Sequence, residues 1–510
     1  MPTATYSPEP TPSDDGRSFS RGEADDRIYP VHTLDGAKYQ HCILTLFIRF
    51  NDILDAEKIR TSLVKLLEID DWRKLGGRFR IKGDKGAALC GDGNESSLAG
   101  KTLEIHVPNE FTAERPAIQF AHEAHDLSIF DHVLGQQLPQ TSDDGVALSP
   151  PLNDLRLCGL GPGFPTTMAD LVDKDAPQLS FKVIGFTDAT VLAVTFSHST
   201  WDISGLQGFM KSLELVLDGR EDEVLPMLGA RTDVLSEMVA QQDDSCLDLG
   251  LVTLPGQAKA AKEPRVPKAA LEERIIRVPL HIFERMRDLV ARENPDEDQD
   301  ALTTYQLDEL FLGLIVRQIA RAQPAPRALQ LMNIYNARLL VPQLGGAEGI
   351  YSQNLVLPSP LPLSHETATG PIAPIALAQR DNFAQAAVPQ NIARSLWTVL
   401  SAIKADMDIT ALTDNGDEED SILVNNLVRL SNYIDVDLSA AVVRQGEKSQ
   451  TRRNGLGTAD LCFLTLPGNS YGMMRVTTLG SYNGNACWVF GELPARAWEL
   501  IYEALDELEL

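Results

Sequence analysis

The sequence predicts an α/β protein of two lobes, each a mixed β-sheet with flanking helices, and three observations lead there. A chain of 510 residues exceeds the size at which one hydrophobic core stops growing. Short apolar strand-like runs alternate with amphipathic helical periods along most of its length. One long stretch, 218–279, loses both periods and becomes acidic and rich in Gln, Ala, Lys and Pro, the composition of a crossover between lobes. The boundaries that follow are a disordered tail over 1–27, a first lobe over 28–217, the crossover over 218–279 and a second lobe over 280–510.

The tail is rich in Pro, Ser, Thr, Asp and Glu and buries too little apolar surface to offset the entropy of ordering. Folded sequence begins near Arg27-Ile28-Tyr29-Pro30. His41 to Phe50 is an apolar strand, and Asp55 to Leu67 is a helix with Ile59, Leu63 and Leu66 on one face. Ser180 to Phe186 and Val191 to Ser197 flank the turn-forming Thr187-Asp188-Ala189-Thr190 and predict a hairpin. A helix then starts at Ser204, the expected N-cap, with Leu206, Phe209, Leu213 and Val216 on one face and Asp218-Gly219 ending it. The second lobe is expected to open with a strand at Arg274 to Val278, a helix at Ile282 to Val290, an apolar helix at Thr304 to Arg321 and a strand at Ala328 to Asn336. Asp414 to Asp420 reads as a solvated acidic loop. Strands at Asp460 to Leu466, Met474 to Leu479 and Ala486 to Phe490 precede a final amphipathic helix, Ala495 to Leu508.

Composition excludes several classes of function. A formal net charge of -27 repels nucleic acid phosphates and anionic membrane surfaces alike, so neither is an expected partner. The six cysteines, Cys42, Cys90, Cys158, Cys246, Cys462 and Cys487, have neither a CxxC pair nor metal-finger spacing and read as reduced core thiols. No signal-peptide core and no bilayer-length apolar run is present in the sequence. A cytoplasmic, monomeric protein without a bound metal is the expectation.

The most informative stretch is Leu192-Ala193-Val194-Thr195-Phe196-Ser197-His198-Ser199-Thr200-Trp201-Asp202. Strand alternation puts Leu192, Val194, Phe196 and His198 on one face, so an apolar face ends in an imidazole where the strand gives out. Histidine accepts a proton near neutrality, as a general base acting on a hydroxyl must. Asp202, four residues on, can fix the turn. The HxxxD pattern occurs a second time at His122-Glu123-Ala124-His125-Asp126, in a polar, helix-like context that reads as surface.

With that motif as its centre, the ordering resembles the BAHD acyltransferase superfamily, in particular its fungal members that modify natural products. His198 to Asp202 stands where the family carries HxxxD. Thr303-Thr304-Tyr305-Gln306 resembles its threonine-rich helix start, and Asn336-Ala337-Arg338 with Pro342, Leu344, Tyr351 and Asn354 resembles its arginine, proline and YFGN stretch. The second signature, DFGWG, is degenerate: Tyr433-Ile434-Asp435-Val436-Asp437-Leu438-Ser439 is the nearest match and lacks the tryptophan. Leu340 replaces one of the family's two nearby arginines.

The resemblance implies a two-lobed, CoA-dependent acyltransferase (BAHD/condensation-like) fold. It also implies acyl transfer from an acyl-CoA co-substrate, acetyl-CoA by default, to a hydroxyl, less often an amine, of a small secondary metabolite. In that picture His198 is the base and Asp202 pairs with Arg338 to orient the loop. Asn425 or Asn426 is a candidate oxyanion donor. Lys259, Lys262, Arg265 and Lys268, with Arg452 and Arg453, are the cations available to CoA phosphates. No permanently bound cofactor is implied. The alternative is a non-catalytic family member that only binds a small molecule, or the same fold performing condensation or hydrolysis.

Three other signals lead nowhere. Gly468-Asn469-Ser470-Tyr471-Gly472 matches the GxSxG elbow, but strand-like sequence follows it and the last histidine, His365, precedes it. Ala99-Gly100-Lys101-Thr102 ends like a phosphate loop, but Glu95 occupies the first glycine position. Cys158-Gly159-Leu160-Gly161-Pro162-Gly163 reads as a loop, because Pro162 and a missing helix exclude a dinucleotide site.

Overall fold

The computed structural model describes residues 26–509 apart from 84–97, 99, 140–144, 153–154, 241–270, 294–304, 346–347, 406–418, 428–435, 447–451, 453, 468–472 and 483–485. Twelve of its strands form the two large sheets: β1 Ile43–Phe50, β2 Gln119–Ala124, β3 Ala147–Leu148, β4 Leu179–Gly185, β5 Thr190–Ser197, β6 Leu271–Pro279, β7 Ala328–Asn336, β8 Val356–Leu363, β9 Glu419–Leu427, β10 Ala459–Thr465, β11 Met474–Tyr482 and β12 Ala486–Pro494. Seven helices matter here: α1 Ala56–Leu66, α2 Ile203–Leu217, α3 Leu280–Glu293, α4 Leu307–Arg321, α5 Ile372–Ala386, α6 Pro389–Lys404 and α7 Ala495–Asp506.

The first sheet has the order β10-β1-β5-β4-β2. Its central strand β5, Thr-Val-Leu-Ala-Val-Thr-Phe-Ser, is buried along its whole length. That is what a run of apolar and β-branched residues between two neighbours demands. β1 and β4 flank it antiparallel, with Ile43 opposite Ser197 and Leu179 opposite Phe196. The second sheet has the order β8-β7-β9-β11-β12-β6-β3, parallel at β7-β9-β11 and antiparallel elsewhere. Both sheets are mixed, with helices packed beside them.

Sheet membership does not follow the linear boundaries. β10, from the second half of the chain, pairs antiparallel with β1 and closes one edge of the first sheet. The dipeptide strand β3, from the first half, pairs with β6 at the edge of the second. The strand expected at Arg274 to Val278 is β6, which starts three residues earlier, inside the 218–279 stretch, and pairs with β12 over nine residues. The stretch also holds a helix, Val234–Ala240. Of that stretch, Val234–Ala240 and the part of β6 before Arg274 read as crossover in the sequence yet are regular elements, because packing and sheet pairing recruit backbone beyond what the side-chain pattern records.

Four local expectations are corrected. Asp202, not Ser204, caps α2, because its carboxylate accepts from the Gly205 amide. The second HxxxD copy is not helical: Gln119–Ala124 is the edge strand β2, parallel to β4, since backbone pairing to a buried strand outweighs its polar side chains. The acidic run 414–420 is not wholly loop, because β9 begins at Glu419 and Asp420 is buried, accepting from Gln323. Cys158 and Gly159 belong to a short helix, Leu155–Gly159, and Gly159 packs on Phe47 and Thr45 with no room for a Cβ. Residues 1–25 and Gly468 to Gly472 lie outside the described residues, as do Thr303 and Thr304. Among the described residues no helix is long and apolar enough to cross a membrane.

Candidate active site

His198 stands one residue past β5, and the sheet still holds it there: its amide donates to the Cys42 carbonyl at 3.0 Å. Three more residues complete the turn, and Asp202 opens α2. The imidazole lines a cavity of about 210 Å³. One wall comes from the first sheet, with Leu44, Leu46, Phe196 and Phe463, and the other from the second, with Met332, Ile334 and Val424. The cavity therefore opens between the two sheets, and side chains from both halves of the sequence line it. Gly205 permits this closeness on one side, because a Cβ there would sit 2.1 Å from the Ser352 carbonyl oxygen.

Burial holds the His198 imidazole below its ordinary pKa, offset in part by its own backbone carbonyl, by the Asp202 carboxylate and by Asn354. A neutral imidazole with a lone pair facing the cavity is the form a general base needs. Its Nδ1 is the buried nitrogen.

Asp202 is also among the residues lining the cavity, but its carboxylate is bound to other partners. Its side chain is 5% exposed, and its Oδ2 accepts from Arg338 Nη1 at 2.8 Å and from the Leu355 amide at 2.9 Å. Its Oδ1 accepts from the Gly205 amide at 2.9 Å. Three donors, one of them a guanidinium, engage both carboxylate oxygens and hold the side chain in place. Arg338 spends its remaining donors on Asn336 Oδ1 and on the carbonyls of Tyr351 and Gln353. One guanidinium thereby ties the helix start after His198 to the chain around residue 352.

The remaining candidates are not brought together. Lys259, Lys262, Arg265, Lys268 and Arg453 lie outside the described residues. Arg452 forms a bidentate pair with Asp52, at 2.7 and 2.6 Å, and donates also to backbone carbonyls of Asn51, Asn454 and Gly455. Asp52 is fully buried and accepts from the Gly457 amide as well, so this arginine is a clamp between chain halves, its donors engaged by protein acceptors. The described part of the degenerate second signature lies beside α2, where the Asp437 amide donates to Glu214, and supplies no residue to the cavity wall. Asn425 and Asn426 both line the cavity. Asn426 is tied to Thr478 and Asp308.

Sequence reasoning missed Asp35 and the roles of Gly205 and Asn354. Asn354 donates from Nδ2 to the His198 carbonyl and to Asp35, both at 2.8 Å. Leu34-Asp35-Gly36 carries only a turn signal, so nothing in its local pattern could have placed it beside residue 198.

No family model matches the chain. It is 26% identical over 508 residues to the acetyltransferase adrJ of Penicillium roqueforti, covering 95% of this chain and 96% of that protein. The O-acyltransferase ausP of Penicillium brasilianum is 29% identical over 489 residues, 92% of each chain. Among solved structures, TRI101 of F. graminearum, complexed with coenzyme A and T-2 mycotoxin, superposes with a TM-score of 0.59 at 12% identity over 93% of this chain and 96% of its own. Vinorine synthase superposes with a TM-score of 0.53 at 12% identity over 96% of this chain and 95% of its own. The relatives that match over nearly the full length are fungal acetyltransferases and O-acyltransferases, and the chain shares the fold of TRI101 and vinorine synthase. The two-lobed fold expected from the sequence is the fold observed, shared with TRI101 and vinorine synthase. The fold is shared with other chemistry, since the epimerization domain of tyrocidine synthetase B superposes with a TM-score of 0.52 at 9% identity, covering 96% of this chain and 99% of its own. Relatedness over nearly the full length to acyltransferases, rather than fold, separates the two.

Proposed function

We propose that this protein transfers an acyl group, acetyl by default, from an acyl-CoA thioester to a hydroxyl of a small secondary metabolite, with His198 as general base. The observation that carries the reading is the neutral imidazole of His198, delivered by a fully buried strand into a cavity walled by both sheets. The named activities of the full-length relatives and the coenzyme A bound by TRI101 support the donor.

In the transfer, the His198 nitrogen that faces the cavity takes the proton from the acceptor hydroxyl as its oxygen attacks the thioester carbonyl carbon. The tetrahedral oxyanion collapses, the carbon–sulfur bond breaks, and the leaving thiolate recovers the proton from the imidazolium. Asn425, which lines the same cavity, is the side chain proposed to donate to the oxyanion. Asp202 and Arg338 orient the loop and exchange no proton. The walls supply mainly Leu, Ile, Val, Met and Phe side chains, with Arg475 and Glu309 also among the lining residues, a balance that favours an uncharged, largely apolar alcohol as acceptor.

The test is thiol release from an acyl-CoA panel with and without a panel of apolar alcohols, for the wild type and His198→Ala. Acceptor-dependent release that falls by roughly 10²- to 10⁴-fold in the variant is the expected result. Release that needs no acceptor identifies hydrolysis instead, and acceptor-dependent release unchanged in His198→Ala removes the histidine from the mechanism.

A further inference from the structure

Adjacent residues of one segment hold both ends of the HxxxD turn. The Leu355 amide donates to Asp202, while the Asn354 side chain donates to the backbone carbonyl of His198. Asn354 is only 1% exposed, and every polar group of its side chain is used: Nδ2 divides its two hydrogens between His198 O and Asp35 Oδ1, and Oδ1 accepts from Gln40 Nε2 at 3.3 Å. Its backbone amide also donates to Asp35 Oδ1, at 2.8 Å. From the opposite side, the Gln40 carbonyl accepts from Ser199 Oγ at 3.2 Å and the Cys42 carbonyl from the His198 amide. The peptide of residue 198 is thus pinned from two directions, with Asn354 on its carbonyl.

That carbonyl matters because it belongs to the backbone from which the ring projects: pinning the peptide of residue 198 at its carbonyl and its amide fixes the direction of the Cα–Cβ bond, and with it the imidazole. Resting on the acyl-transfer reading above, we propose that Asn354 and Asp35 are positioning residues: Asn354 fixes the His198 carbonyl, and Asp35 fixes Asn354, so that the imidazole presents its reactive nitrogen to the acceptor. Holding a carboxylate here opposes stability. Asp35 is 3% exposed, and burial pushes its pKa up to about 7 against the pull of Lys74 and the two Asn354 donors. The charged groups acting on it are Lys74 and Asp202, and Lys74 in turn lies against His32, Asp71, Asp233 and Arg231. A leucine would fill the volume without that cost, but it could not hold an amide in one of its two flipped orientations.

The experiment combines Asn354→Ala, Asp35→Asn and the double variant with two readouts. Steady-state kinetics should give kcat lowered roughly 10- to 100-fold by Asn354→Ala, the scale of a misplacement of about 1 Å, with KM for acyl-CoA unchanged. Asp35→Asn should lower kcat less, and the double variant should match Asn354→Ala alone, because the two residues act in series. The second readout is the imidazole titration of His198 by NMR of histidine-labelled protein, assigned by its loss in His198→Gln; its midpoint and tautomer signature should move in both single variants. Losses that multiply in the double variant, or a kcat loss tracking only the folded fraction with the His198 resonance unmoved, overturn the proposal. Should Asn354→Ala fail to fold, the near-isosteric Asp35→Asn decides by the same titration. The NMR arm needs no substrate, so a wild type that transfers no acyl group would sink the functional reading while leaving this one to be judged by itself.

Discussion

The imidazole of His198 and the carboxylate of Asp202 are four residues apart, and their opposite environments divide the labour. Burial favours the neutral ring, so His198 keeps its lone pair to lower pH than an ordinary histidine, whose pKa is about 6.5. The sign follows directly: protonation removes the base, and a lowered pKa moves that loss to more acidic pH. The acid limb of the kcat/KM profile should therefore lie below about 6.5, and a limb above it would contradict the assignment. Asp202 depends on its partners for the opposite reason, being a buried charge. Removing one partner of a buried pair leaves the other uncompensated, at about 3–5 kcal/mol. Arg338→Met should lower the denaturation free energy by that amount in urea titrations, whereas Asp202→Asn, which keeps an oxygen for the Gly205 amide, should cost less.

At the scale of elements, the chain reads well where a strand or helix carries its own period. β5, α2, α4, β7 and α7 lie within a few residues of their expected positions, because continuous apolar runs and 3.6-residue stripes record which face is buried. β8 carries Pro at alternate positions, as only an edge strand can: Pro358, Pro360 and Pro362 lie opposite Ile334, Met332 and Gln330 in the ladder, and an edge tolerates missing donors. The Arg452 segment reads as a cationic patch, but its fate is set by an acceptor 400 residues away. Two arms follow for Arg452→Ala. A stability loss with KM for acyl-CoA unchanged is expected from the Asp52 clamp; a raised KM at full stability would restore the phosphate-binding role.

On the scale of the whole molecule, the two sheets trade strands, and this ties the halves together more firmly than a crossover could. β10 covers the edge of β1, and Phe463 stacks on Phe47 with ring centroids 5.2 Å apart. Without β10 the first sheet presents an eight-residue apolar edge, a template for aggregation. Residues 1–270 expressed alone should therefore aggregate, and co-expression with 271–510 should restore a soluble 1:1 complex by size-exclusion chromatography; a monomeric, folded 1–270 would refute the interdependence.

By itself the sequence determined the alternation of strands and helices, the strand that carries His198 and the four-residue spacing to Asp202. These are local: each is written in side chains whose burial and turn preferences act over a few positions. Only the tertiary structure decided that Arg338 reaches Asp202 with that geometry, that Asn354 and Asp35 hold the His198 carbonyl, that Arg452 is a clamp, and which residues wall the cavity. Those outcomes depend on contacts between residues 136 to 400 positions apart, where hydrogen-bond partners are chosen by packing and leave no periodic trace along the chain.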